Sequence, residues 1–200
     1  GQSSSGSNGR YFVAYERFSS SNAWAGNIYT SRNASMVNGS FAAPVCLDSV
    51  STSMIGLCAN PKIAAMVTNS FDNDSGSVSA VVLVERDYNG NGSDFDLLGF
   101  YNKRAHYSDF WNRLDIQNTG NTSRFPDIAY SIIDSQFVAT YLDSTAQEMP
   151  MLYNNYQLIT PSSWNTISSN YNDGGQLGSA YPSVAINPQN GKGAVAWHKV

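Results

Sequence analysis

The sequence predicts an all-β protein built from repeated antiparallel units, and three recurring features support this prediction. A Pro opens a short apolar run at Pro61, Pro126 and Pro182, which are 65 and 56 residues apart. After a turn, a second run of β-branched or aromatic residues follows each time, as in a β-hairpin. Large aromatic residues then recur at similar offsets before the next Pro. Four short strands per repeat of this length are typical of one blade of a β-propeller.

The repeats divide the chain into units over about residues 10–60, 61–125 and 126–181, and a partial unit over 182–200. A flexible segment over residues 1–9 precedes them. The first unit begins at its second strand and the last ends after its second, which gives about three and a half blades. We therefore expect other chain segments or subunits to complete the propeller. A β-sandwich is the alternative fold, but it would not require the same aromatics at the same offsets in every unit.

The strands can be predicted in order along the chain. We expect them over residues 10–18, 27–32, 41–47, 63–68, 78–85, 97–103, 111–116, 128–131, 137–141, 149–156, 164–168, 183–186 and 194–198. Several of these runs are almost continuously apolar, which favours strands that are buried on both faces. Asn190-Gly191 is typical of a tight turn between the last two strands.

The composition indicates an extracellular protein. Only 13 % of the residues are charged, and 29 Ser and 21 Asn together make up a quarter of the chain. The net charge of −4 argues against a nucleic-acid partner, because there is no basic patch to replace counterions. No apolar run approaches the roughly 18 residues of a membrane span. We predict a secreted or cell-surface location.

The two cysteines, Cys46 and Cys58, are separated by eleven residues. A zinc site would need further ligands nearby, and no CxxC spacing indicates redox chemistry. We predict a disulfide between them, which would stabilise the fold by roughly 3 kcal/mol in the chain-entropy model. Two buried free thiols are the alternative.

The segment over residues 87–96 resembles the beginning of a calcium-binding loop. Its oxygen-bearing residues are Asp87, Asn89, Asn91, Asp94 and Asp96. Alternating oxygen side chains and a glycine turn can surround a hard cation such as calcium. The twelfth position is Leu98, so the bidentate carboxylate of an EF-hand is missing. An ordinary hairpin turn is therefore the alternative interpretation.

Ser123-Arg124-Phe125-Pro126 resembles the Arg-x-Pro motif of the sialidases. In that family of six-bladed propellers the Arg belongs to a triad that binds the substrate carboxylate, a group that suits the guanidinium fork. The resemblance implies a ligand-binding role for Arg124. The Asp-box repeats of the family do not occur in this sequence, and its Tyr nucleophile cannot be placed. The alternative is an Arg that packs between blades.

The intact repeats favour a binding or structural function over catalysis. We expect the protein to bind glycans or extracellular proteins, as in adhesion, or to build an extracellular assembly. Trp24, Tyr153 and Tyr156 are candidate ligand-binding residues besides Arg124, because aromatic rings stack on sugars, while packing between blades is their alternative role. No catalytic residue is predicted. The alternative function is a sialidase-like or other glycoside hydrolase with catalytic residues partly outside this chain.

Overall fold

The computed structural model describes the chain in separate ranges. They are residues 12–18, 26–32, 41–48, 57–68, 77–87, 93–103, 105, 108–117, 122–143, 151–155, 164–168 and 181–197. Within these ranges every helix or strand element is a β-strand, and all strand pairs are antiparallel. This confirms the prediction of an all-β fold. The predicted flexible segment over residues 1–9 lies outside the described ranges.

The strands follow the predicted order along the chain. They are β1 (Phe12–Phe18), β2 (Gly26–Arg32), β3 (Val45–Cys46), β4 (Leu57–Thr68), β5 (Ser77–Asp87), β6 (Phe95–Asn102), β7 (Asn112–Gln117), β8 (Ser123–Ser131), β9 (Gln136–Asp143), β10 (Met151–Asn155), β11 (Trp164–Ser168), β12 (Ser183–Ile186) and β13 (Gly193–Ala196). Most bounds agree with the predicted ones to within a few residues. The largest differences are at β4 and β8, which begin before their Pro.

Three sheets contain these strands. The largest has the order β1-β2-β4-β5-β6-β7, with β3 also paired to β2, and the others have the orders β11-β10-β9-β8 and β12-β13. Strands β4 to β7, and again β8 to β11, each form a four-stranded meander like the predicted units. The described strands do not form a closed propeller. In the described ranges, the strands of the first unit pair with the β4–β7 meander at Gly26 and Cys58.

The β4–β7 meander is buried on both faces, as its apolar runs predict. Successive residues of a strand point to opposite faces, so each strand serves two cores. One face packs against β8 and β9 through Val81, Leu83, Leu97, Leu114, Ile128, Phe137, Ala139 and Tyr141. The other face packs against β2 and the residues after β3 through Val82, Val84, Leu98, Phe100, Cys58, Ile28 and Leu47.

The first strand of each meander contains a β-bulge at its Pro. The register shifts between Ala59 and Lys62 in β4 and between Arg124 and Asp127 in β8. A bulge can accommodate Pro because the extra residues need not donate to the strand ladder. The residue before each Pro has left-handed backbone geometry, with φ of 51° at Asn60 and 55° at Phe125. This geometry is uncommon for a residue as bulky as Phe.

A single buried carboxylate, Glu85 on β5, contacts both left-handed residues. Its Oε1 atom accepts hydrogen bonds from Asn60 Nδ2 at 2.8 Å and from the Phe125 backbone N–H at 2.6 Å. Its Oε2 atom lies 3.4 Å from both Nε and Nη2 of Arg124. Glu85 is fully buried. It therefore joins β4 and β8, the first strands of two successive meanders.

A second carboxylate, Asp127 on β8, joins that strand to β12. Its Oδ2 atom accepts hydrogen bonds from the Val184 backbone N–H at 2.9 Å and from Ser183 Oγ at 2.8 Å. The rings of Phe125 and Tyr181 add a contact, with their centroids 4.2 Å apart. The β12–β13 hairpin is thus held against β8 by side chains next to the two Pro positions.

We predict that Glu85→Ala lowers the free energy of unfolding by about 2–4 kcal/mol, because it removes the buried acceptor of the Phe125 N–H and of the Asn60 amide and leaves Arg124 without its carboxylate. Denaturant unfolding measures the change. The control is Asp109→Ala, since Asp109 also pairs with an Arg but its side chain is 67 % exposed. It should cost less than about 1 kcal/mol. Equal losses in the two variants would contradict the role given to Glu85.

Candidate ligand-binding site

A cavity of about 330 Å³ lies on the face of the β4–β7 meander that packs against β2. Its lining comes from the residues after β3, from β4, β5 and β6, from the segment that leads into β7, and from the first residues of β7. The lining residues are Leu47, Asp48, Cys58, Arg86, Leu98, Phe100, Phe110, Trp111, Asn112 and Arg113. The volume is at the lower end of the range of small-molecule sites.

The cavity has an apolar floor and a mixed mouth. Its floor consists of buried side chains, among them Leu47, Leu98 and Phe100. At the mouth, the Phe110 side chain is 71 % exposed and Trp111 is half-buried. The polar lining residues are Asp48, Arg86, Asn112 and Arg113. A few polar groups on an otherwise apolar lining are typical of a ligand site.

The cavity lies where the edge of β2 is shared between two strands. β3 pairs with β2 only at Tyr29 and Thr30, and β4 reaches it at Gly26. Between them the Leu47 N–H donates to the Ile28 carbonyl at 2.8 Å, and the Ile28 N–H donates to Asp48 Oδ1 at 3.1 Å. Asp48 thus completes the edge of β2 and is held at the cavity wall.

The Asp48 carboxyl is partly buried and accepts hydrogen bonds from the Ile28 N–H and the Cys46 thiol. Burial raises the pKa of Asp48 above its ordinary value, while hydrogen bonds from Cys46 and from the Ile28 N–H act in the opposite direction. The Cys46 thiol donates to Asp48 Oδ1 at 3.2 Å. This carboxyl is therefore a fixed acceptor in a partly desolvated position.

Arg32 on β2 holds the segment that carries the two aromatic residues of the mouth. Its Nη1 atom donates to the carbonyls of Ala105 at 2.8 Å and Ser108 at 3.1 Å. Asn102 Nδ2 also donates to the Ser108 carbonyl, at 2.7 Å. Only about 10 Å³ of space remains beside Arg32. The backbone before Phe110 is therefore fastened to β2, which positions the mouth of the cavity.

Arg124, the ligand-binding residue implied by the sialidase resemblance, lies away from this cavity. It pairs with Glu85, which alternates with Arg86 along β5 and therefore faces the other side of the sheet. The Arg124 guanidinium lies 4.4 Å from the ring centroid of Phe95 and 4.8 Å from that of Phe125. The Arg124 guanidinium pairs with Glu85 of the same chain. This contact agrees with the structural role considered from the sequence, an Arg that packs between units.

The three predicted ligand-binding aromatics are not brought together by the described structure. Trp24 and Tyr156 lie outside the described residues. Tyr153 is on β10, paired with Val138 of β9 and Asn165 of β11. The cavity instead uses Phe110 and Trp111. Trp111 is one of the large aromatic residues that recur in each unit of the sequence. This recurrence is the feature of the sequence that could have identified it as a site residue.

The predicted calcium segment is only partly described. Asn89 and Asn91 lie outside the described residues. Asp87 pairs with Phe95, so the neighbouring Asp96 points to the opposite face of the sheet from Asp87. In the described part of the chain, no three acidic, His or Cys side chains gather as metal ligands. Calcium binding by Asp87, Asp94 and Asp96 with the two Asn residues stays a prediction.

In the structure Cys46 and Cys58 are not joined by a disulfide, in contrast to the prediction. Cys46 lies opposite Tyr29 and Cys58 opposite Gly26, three residues away along β2. That separation is roughly 10 Å, whereas a disulfide needs Cα atoms within about 7 Å. Burial raises the pKa of the Cys58 thiol to about 12 and also raises that of Cys46.

Comparisons with known proteins give no relative for this chain. No protein-family model, no curated protein and no solved structure matches it. Within the described ranges, no helix has the length and apolar character needed to cross a membrane. The cavity is therefore interpreted from its own geometry.

We predict that the Cys58 thiol makes stability depend on alkaline pH. Its pKa is near 9.0 for a solvated cysteine thiol and about 12 in the fold. Folding thus favours the protonated thiol. The contribution of this group to the free energy of unfolding is complete below pH 9 and is lost as the pH rises toward 12. Urea unfolding at pH 8 and pH 10.5 should show a larger loss for the wild type than for Cys58→Ala. The loss should approach about 1.4 kcal/mol per pH unit.

Cys46→Ala is the matched control, because Cys46 is only half-buried and should contribute less to the pH dependence. Iodoacetamide should also alkylate both cysteines of the unfolded protein without added reductant. Equal pH dependence in wild type and Cys58→Ala would contradict the prediction.

Arg32→Ala should loosen the cavity mouth. The variant removes the donors to Ala105 and Ser108, so we expect hydrogen exchange of residues 108–111 to accelerate about tenfold or more. Mass-detected hydrogen exchange measures this. Arg17→Ala, on the neighbouring strand β1, should leave these residues unchanged, because the exposed Arg17 lies near the Tyr29 ring instead. Unchanged exchange in both variants would contradict the anchoring role.

Proposed function

We propose that this chain is a secreted or cell-surface binding protein of propeller-type repeats, and that its cavity beside Trp111 receives a glycan. The observation that carries the proposal is the combination of aromatic rings and fixed polar groups around one cavity. Aromatic rings can stack on the apolar face of a sugar. Amide, carboxylate and guanidinium groups, here those of Asn112, Asp48 and Arg113, can bond its hydroxyls.

The strand arrangement supports the propeller-type part of the proposal. Two successive four-stranded meanders begin alike, each with a bulge at a Pro. Their first strands, β4 and β8, lie side by side, and β12 lies next to β8. Buried or partly buried carboxylates connect each first strand to the next unit. Strands that succeed one another in this way are those that line the axis of a propeller.

The polar groups favour binding over hydrolysis. Among the described residues that line the cavity, Asp48 is the only carboxylate. Glycoside hydrolysis ordinarily requires a pair of carboxyl groups on either side of the scissile bond. We therefore favour a binding protein over the glycoside hydrolase considered from the sequence.

A glycan array followed by calorimetry tests the proposal. We expect binding to a subset of glycans, and Phe110→Ala should weaken it about fivefold, because one stacking contact contributes about 1 kcal/mol. The Phe110 side chain is largely exposed, so the variant should fold. Phe41→Ala is the control, since Phe41 is also exposed, at 49 %, but does not line the cavity. An array without any bound glycan would contradict the proposal.

A further inference from the structure

We propose that Asn190 is a site of spontaneous chemical modification, in which its side-chain amide is lost to the backbone nitrogen of Gly191, and that the closed β12–β13 hairpin restrains this reaction. Among the described residues no other Asn precedes a Gly. Gly has no Cβ, so its nitrogen can approach the preceding side chain without steric hindrance. Asn190 is exposed in the turn between β12 and β13, where water is available to complete the reaction.

The reaction needs no reagent other than water. The Gly191 nitrogen loses its proton and attacks Cγ of Asn190, the bond from Cγ to the side-chain nitrogen breaks, and ammonia leaves with that proton. Water then opens the cyclic imide at either of its carbonyl groups. One product is Asp, and the other is isoaspartate, whose backbone runs through the former side chain and is longer by a methylene group. Both products carry a carboxylate in place of a neutral amide.

The folded turn holds both reacting groups in other hydrogen bonds. The Gly191 N–H donates to the Asn187 carbonyl at 2.9 Å, and Asn190 Oδ1 accepts a hydrogen bond from the Lys192 N–H at 3.0 Å. The Gly191 nitrogen cannot lose its proton and reach Cγ of Asn190 while both bonds are intact. The reaction therefore requires the turn to open, and its rate follows the population of the opened hairpin.

The attachment of the hairpin to β8 controls that population. Within the described ranges, β12 and β13 pair only with each other, so side chains hold the hairpin in place. Asp127 Oδ2 accepts hydrogen bonds from the Val184 N–H at 2.9 Å and from Ser183 Oγ at 2.8 Å. Removal of this carboxylate should therefore raise the population of the opened hairpin and with it the rate of amide loss from Asn190.

The isoaspartate product does not fit the closed hairpin. Gly191 packs closely against the turn between β8 and β9, since a Cβ added there would lie 2.7 Å from Asp134 Oδ2 and 3.3 Å from Ile133 Cβ. A longer backbone has no free space on that side and must displace one of the two turns. The new carboxylate also adds a charge of the same sign as that of Asp134. Modification therefore loosens the attachment of the hairpin to β8 and β9.

Peptide mapping by tandem mass spectrometry, after incubation of the folded protein at mildly alkaline pH, tests the proposal. We expect Asp and isoaspartate to accumulate at residue 190. Asn187 in the same turn is the internal control, because Pro188 has no N–H to lose and cannot form the neutral imide. Accumulation should be about tenfold faster or more when urea unfolds the chain, because opening limits the reaction. An unmodified Asn190, or equal rates with and without urea, would overturn the proposal.

Hydrogen exchange tests the effect of the product on the hairpin. Exchange of β12 and β13 should be faster in the modified protein than in Asn190→Asp, which adds the charge without the longer backbone. Equal exchange in the two proteins would overturn the effect assigned to the longer backbone.

Asp127→Ala tests the restraint by the hairpin in the folded protein. We expect the variant to lose the Asn190 amide about fivefold faster than the wild type, as the loss of about 1 kcal/mol of attachment predicts. Asp109→Ala is the control, because Asp109 is an exposed acid that pairs with Arg32, away from the hairpin. If Asp127→Ala does not fold, Ser183→Ala removes one of the two donors and should give a smaller acceleration. A rate equal to that of the wild type would overturn the restraint.

Discussion

The hydrogen bonds of the buried Glu85 carboxylate are the contact on which the arrangement of the sheets depends. Backbone in the left-handed region costs of order 1–3 kcal/mol for a residue such as Phe125, and it persists only where the surroundings hold it. Glu85 Oε1 holds both Phe125 and Asn60, which lie on different sheets. One oxygen atom therefore sets how β4 and β8 approach each other, and Arg124 follows as the cation that faces this carboxylate.

The cavity follows from what happens on the other face of the same meander. That face packs against a unit whose third strand is only two residues long. The edge of β2 is consequently completed by Leu47 and Asp48 and not by a regular strand. A regular sheet would have filled this space with packed side chains. The short strand leaves a cavity in which an acid and two arginines approach an apolar floor.

The local features of the fold could be predicted from the sequence, and the contacts between distant residues could not. Periodicity placed β11 and β12 at Trp164–Ser168 and Ser183–Ile186, the bounds that the structure has. The sequence pattern predicted strands that follow Pro61 and Pro126, whereas β4 and β8 begin before these residues. The bulge at each Pro could not be predicted, because it does not change the pattern of apolar residues. The spacing of Cys46 and Cys58 favoured a disulfide. Spacing along the chain could not reveal that the two residues pair with β2 at positions three residues apart. The cavity combines residues of several strands, so only the folded chain brings Arg86 and Arg113 together.

The carboxylate links also bear on how the molecule comes apart. Glu85 connects the β4–β7 meander to β8, the first strand of the third unit, and Asp127 connects β8 to β12. Each unit is thus stabilised mainly by its immediate neighbour, as in solenoid proteins whose cooperativity is that of a one-dimensional chain. The β12–β13 hairpin has only two strands and mostly exposed residues, and Asp127 and the Phe125–Tyr181 ring contact attach it to β8. Loss of structure would therefore begin there and advance inward unit by unit, in steps and not in one concerted transition.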